Sequence, residues 1–105
     1  MKTGLFFSLA AALALMISVP SPAGAVGPGK TCGGFPGTPC DAGLFCQQKP
    51  GQCRIIDATG ICTKVPQICN DRYLPVCGCD HNTYSNDCRR QAAMVSKLHN
   101  GKCTY

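Results

Sequence analysis

The stretch Cys69-Asn70-Asp71-Arg72-Tyr73-Leu74-Pro75-Val76-Cys77-Gly78-Cys79-Asp80-His81-Asn82-Thr83-Tyr84-Ser85-Asn86-Asp87-Cys88 decides how the chain is read. Seven residues separate Cys69 from Cys77, and ten separate Cys77 from Cys88. A loop anchored by sulfur at both ends, with Asp71, Arg72 and Tyr73 at its crest, is expected to be displayed and not buried. Pro75 stiffens the loop's exit by fixing φ and removing a backbone donor.

Toward the C-terminus, Leu74 to Cys77 and Thr83 to Tyr84 read as two short strands joined through Cys79 to Asn82. A helix is expected next, with Ser85 or Asn86 as its N-cap and Asp87 in the first turn, where a negative charge suits the helix dipole. Cys88, Ala92 and Val95 fall at i, i+4 and i+7 and predict a narrow buried face, with Arg89 and Arg90 pointing outward. The helix is not expected to pass Ser96. Lys97 to Asn100 returns as a third strand, and Gly101 turns the chain into Cys103.

Toward the N-terminus, residues 54–61 read as a connector: Ile55-Ile56 has strand propensity, Asp57 to Gly60 is a turn signal, and Ile55, Ile56 and Ile61 call for burial. Before it, residues 32–53 form a four-cysteine module with intervals of seven, five and six residues. Gly and Pro crowd it, so turns are expected to dominate, with Phe35, Leu44 and Phe45 packed against its disulfides. Residues 26–31 read as a flexible tail. Lys2, the apolar run from Leu5 to Val19, Pro20, Pro22 and Ala23-Gly24-Ala25 make a secretory leader over residues 1–25, cleaved before Val26. The apolar run is too short to span a bilayer comfortably.

Ten cysteines behind a secretory leader predict five disulfides and an oxidising, extracellular location. With no tryptophan and few large apolar groups the chain cannot build a sufficient core, so crosslinks must carry much of its stability. Without Lys2, nine basic residues face five aspartates. Arg89, Arg90, Lys97 and Lys102 are read as a solvated basic face and not as a nucleic-acid or membrane site. Only two histidines are present, His81 and His99, and no nucleophile motif accompanies them, so an enzyme is not expected. Cys77-Gly78-Cys79 looks superficially like a metal or redox site, but an even cysteine count in a secreted chain favours disulfides, so no metal or cofactor is expected.

The residues from Cys62 to Cys103 resemble the Kazal-type serine protease inhibitors. The resemblance rests on Cys69-x7-Cys77, Cys77-x10-Cys88, Val76-Cys77-Gly78-x-Asp80, Thr83-Tyr84-x-Asn86-x-Cys88 and Asn100-Gly101-Lys102-Cys103. It implies a domain over residues 62–105 with pairs Cys69–Cys88 and Cys77–Cys103. The family's helix cysteine is missing, with Gln91 and Val95 at the candidate positions, and Cys79 stands where a small polar residue is usual. Elimination leaves Cys62 with Cys79, with a swap to Cys53 as the alternative. His81 replaces the usual glycine, so the hairpin is expected to find its φ > 0 residue elsewhere, at Asn82. Residues 32–53 resemble part of the cysteine-rich modules of insulin-like growth factor binding proteins, which implies Cys32–Cys46 and Cys40–Cys53.

The fold class is therefore small, disulfide-rich α+β: a short three-stranded antiparallel sheet with one short helix, plus an irregular disulfide-stapled N-terminal module. The Kazal resemblance implies a monomeric inhibitor whose reactive bond is Asp71–Arg72. Asn70, Tyr73 and Leu74 are then protease contacts, and Asn86, Pro75 and Tyr84 are loop scaffold. A carboxylate at Asp71 is repelled by a trypsin-type pocket and left unsolvated in a chymotrypsin-type slot, so a subtilisin-like or acid-specific serine protease is the expected partner. The alternative is a non-inhibitory extracellular module that binds matrix or growth-factor proteins; a cationic antimicrobial peptide is the weaker third.

Overall fold

A computed structural model describes residues 23–104; the leader, up to residue 22, and Tyr105 lie outside the described residues. Seven elements follow in order: β1 (Thr31–Gly33), β2 (Leu44–Gln48), β3 (Thr59–Lys64), β4 (Val76–Gly78), β5 (Thr83–Tyr84), α1 (Asp87–Ala92) and β6 (Lys97–Asn100). They form two antiparallel three-stranded sheets, ordered β1-β3-β2 and β5-β4-β6, with α1 packed on the second. The second sheet and its helix are the α+β unit expected from the sequence.

The first sheet adds order where turns were expected to dominate. The last residues of the expected connector, with Cys62 to Lys64, form β3, and β3 is the central strand. Its alternation places Gly60 and Cys62 on the buried face and Ile61 on the other, as period-two geometry requires. Gly60 must be glycine: a Cβ there would meet the Gln47 carbonyl oxygen at 2.6 Å and Cys46 Sγ at 2.9 Å. Gly60 lies opposite Cys32 of β1 on one side and Gln48 of β2 on the other, so the Cys32–Cys46 disulfide crosses from β1 to β2 over that bare position.

Three expected pairs form, Cys32–Cys46, Cys69–Cys88 and Cys77–Cys103. The other two are corrected. Cys40 joins Cys62 and Cys53 joins Cys79, in place of Cys40–Cys53 and Cys62–Cys79. The cause is β3: once it is seated between β1 and β2, Cys62 is buried beside the end of the β1 loop, where Cys40 lies. Cys53 is then free to reach the second sheet, the swap that the sequence left open. Residues 32–53 consequently keep one internal disulfide and send the other two cysteines outward.

The core is small, consisting of Cys32, Phe45, Cys62, Val76 and Cys77. Phe45 packs as expected, but Phe35 is 89% exposed and Ile56 87%, with Ile55 and Ile61 also exposed. These side chains leave from turns or from the outer face of β3, where neither sheet covers them. The expected flexible tail is tied down. Val26 N–H donates to the Pro39 carbonyl at 3.0 Å, Gly29 N–H to Cys62 at 2.9 Å, and Cys62 N–H back to Lys30 at 2.9 Å.

Helix α1 begins at Asn86, whose side-chain oxygen accepts from Arg89 N–H at 2.9 Å. Its buried residue is Arg90, only 2% exposed, which corrects the outward placement expected for it, and Ala92 is exposed. Arg90 Nε donates to Asp87 Oδ1 at 3.0 Å and its Nη2 to Gln47 Oε1 at 3.0 Å, while Nη1 reaches the Val95 carbonyl. The long side chain spans the gap between helix and first sheet that a short apolar one could not fill. Gln48 N–H to Ser96 Oγ at 3.0 Å, Gly51 N–H to the Lys97 carbonyl at 3.1 Å and Cys53–Cys79 complete the junction.

Candidate inhibitory loop

The segment from Cys69 to Pro75 has no strand or helix of its own, so its shape must be imposed from outside. Cys69–Cys88 ties its start to α1 and Cys77–Cys103 holds the strand at its exit. Leu74 N–H donates to the Ser85 carbonyl at 2.8 Å, and the Pro75 carbonyl accepts from Gly101 N–H at 2.8 Å. Pro75 thus offers its one remaining backbone group to the scaffold.

Asn86 works in two directions. Its oxygen caps α1, and its Nδ2 donates to the Arg72 carbonyl at 2.8 Å and the Asn70 carbonyl at 3.2 Å. It is 6% exposed and bridges a shallow cleft of about 520 Å³ behind the loop, lined by Asn70, Arg72, Leu74 and Val76 among others. The two carbonyls flank the Asp71–Arg72 peptide. That peptide's N–H donates to Asn70 Oδ1 at 3.1 Å, so a side chain from within the loop holds the amide nitrogen itself.

The crest faces solvent. Asp71 is 95% exposed and still accepts from Arg89 Nη2 at 2.7 Å. Asn70, Arg72, Tyr73 and Leu74 are all exposed. Exposed side chains and a bonded underside together make this segment a projecting ridge.

Tyr84 is placed elsewhere. It pairs with Val76 in the β5–β4 register, and its ring covers Gly78, where a Cβ would come within 2.8 Å of it. Its hydroxyl donates to Asp80 Oδ2, so it fastens the hairpin beyond β4 and not the loop itself. Burial would raise the Asp80 carboxyl, but hydrogen bonds from Tyr84 and from the Asn82 N–H and side chain hold it below its ordinary value. Tyr84 is raised in turn, chiefly by that bond, then by burial and the nearby charge. The φ > 0 residue of this hairpin is His81, at 66°, which corrects the expectation of Asn82.

Under the helix, burial would also raise Asp87, yet the bond from Lys97 at 2.8 Å and that from Arg90 hold it low. Ser85 was not picked out from the sequence as holding the loop backbone, nor Arg89 as a partner of the Asp71 side chain. The signal for Arg89 was there: it follows Cys88, and Cys88 pairs with the cysteine two residues before Asp71. The sulfurs of Cys77 and Cys79 are both spent in disulfides.

A profile of the Kazal-type serine protease inhibitor domain matches residues 46–103. Ovomucoid from Caracara plancus is 40% identical over 53 residues, covering 44% of this chain and 98% of the ovomucoid sequence. Ovomucoids from Casuarius bennetti and Casuarius casuarius are each 38% identical over 53 residues with the same coverage. The match starts at Cys46 in β2, upstream of the boundary expected at Cys62.

Proposed function

The chain belongs to the Kazal-type serine protease inhibitor family, and we propose that it inhibits by inserting Asn70 to Leu74 into the enzyme's cleft with Asp71–Arg72 as the reactive bond. The observation that carries this reading is the Asn86 side-chain amide, bonded to the carbonyls on both sides of that peptide.

Inhibition follows from rigidity. A substrate must become ordered in the cleft, whereas this loop is ordered beforehand, so association loses little entropy for an interface of about 1,600 Å². Attack on the Asp71 carbonyl requires the peptide to pyramidalise. Asn86 resists by holding both neighbouring carbonyls, and Asn70 resists by holding the Arg72 N–H. When the bond is cut, Cys69–Cys88, Cys77–Cys103 and the Leu74–Ser85 bond keep the new ends in place. Resealing then competes with release.

A carboxylate at Asp71 favours a subtilisin-like protease with a shallow, solvated pocket, or one specific for acidic residues. Five disulfides and the leader support action in an oxidising extracellular space. The test is titration of the refolded chain from Val26 against subtilisin-type, acid-specific, trypsin, chymotrypsin and elastase enzymes. Stoichiometric inhibition of one of the first two, lost on Asp71→Pro, is the expected result. A correctly folded chain that inhibits none of them would overturn the reading and favour the non-inhibitory binding module.

A further inference from the structure

Among the described residues, Arg89 is the one side chain bonded to the Asp71 carboxylate, with Nη2 to Oδ1 at 2.7 Å. It is not free to drift away. Its backbone N–H is held by Asn86 Oδ1 at 2.9 Å, and its neighbour Cys88 is joined to Cys69, so helix and loop form one frame. Resting on the reading that Asp71–Arg72 is the reactive bond, we propose that Arg89 is an internal competitor for Asp71, a positioning residue that sets which class of serine protease the loop accepts.

A pocket specific for acidic residues must take the carboxylate from Arg89 with a cation of its own, and Arg89 then stands as a like charge beside that cation. The exchange gains little. A shallow, solvated pocket of the subtilisin type makes no such demand, because the carboxylate can stay in water near Arg89. The ion pair therefore disfavours acid-specific enzymes and leaves subtilisin-type enzymes almost untouched. An exposed pair supports only a modest effect, about two- to fivefold in Ki.

The test is a double-mutant cycle on the chain from Val26, using Arg89→Gln, Asp71→Asn and the two together, against one acid-specific and one subtilisin-type protease. Arg89→Gln is expected to lower Ki for the acid-specific enzyme about two- to fivefold and to leave the subtilisin-type enzyme unchanged. The gain should shrink in the Asp71→Asn background, where only the like-charge part survives, and fall toward one in about 1 M salt, which a merely structural role would not produce. Arg89→Lys, which keeps the charge, should behave like the wild type. Equal Ki values for wild type and Arg89→Gln on the acid-specific enzyme would overturn the proposal. So would weakening of both enzymes in both backgrounds, since Arg89 would then be touching the protease. Failure of the wild type against the whole panel is a different result: it overturns the reactive-bond reading, and this inference with it.

Discussion

Arg90 on α1 donates to Gln47 on β2 at 3.0 Å across 43 residues of sequence, and this contact joins the helix behind the loop to the first sheet. The guanidinium is almost wholly buried and is satisfied by Asp87, Gln47 and the Val95 carbonyl. Arg90→Ala should therefore destabilise the chain by about 2 to 4 kcal/mol, leaving Gln47 and a carbonyl unpaired. Chemical denaturation checks this, and a change within 0.5 kcal/mol, roughly that of an ordinary surface site, would contradict it.

Asn86 can be divided into its two roles by substitution. Asn86→Asp keeps a capping oxygen for Arg89 N–H but replaces the donor facing Asn70 and Arg72 with an acceptor. Helix content should persist while Ki rises about ten- to a hundredfold, the equivalent of one to two charge-free hydrogen bonds and the repulsion that replaces them. Circular dichroism and inhibition kinetics on the same preparation separate the two effects.

Disulfide pairing can be read directly by mass spectrometry of a non-reducing digest. Peptides carrying Cys40 should be linked to Cys62, and those carrying Cys53 to Cys79. Replacing Cys53 and Cys79 together with Ser should cost about 2 to 4 kcal/mol and loosen the first sheet from the second while Cys69–Cys88 still forms.

Acid stability depends on Asp87 and Asp80, both held below their ordinary value of 3.8. A lowered carboxyl stabilises the fold fully above its unfolded value and loses that contribution as pH falls through the folded one. Stability should therefore be level near neutrality and decline below about pH 4. Asp87→Asn should flatten the decline. At the alkaline end, raised Tyr84 contributes until pH passes its ordinary value of 10.0, and the loss above it should disappear in Tyr84→Phe. Melting curves across pH measure both limbs.

Much of the second sheet was legible because its signals are local. Pro75, the Thr83-Tyr84 pair, Asn86 as a cap and Gly101 as a turn each act within a few residues; β5, α1 and β6 sit where those signals place them, while β4 starts two residues later than expected, at Val76, and takes in Gly78. Arg90 was misread because a six-residue helix is too short for periodicity to fix a face, and an arginine on it is ordinarily solvated. Cys40 and Cys53 were misassigned for a different reason. Their partners depend on β3 entering between β1 and β2, a long-range event marked in the sequence only by Gly60. Ile55 and Ile56 show the same limit, since propensity states what a side chain prefers and not whether a surface is near enough to cover it.

The crossed pairing of Cys40 with Cys62 and Cys53 with Cys79 has a consequence for life among proteases. The exposed turn that begins at Arg54 is an open target for a trypsin-like enzyme, and it lies between the two halves of both bridges. A nick there adds one water across one peptide bond and releases no fragment, because each side remains sewn to the other by two covalent threads. The product is a two-chain molecule with the Cys69–Cys77 loop still mounted, so this inhibitor can be bitten in the middle and remain in one piece.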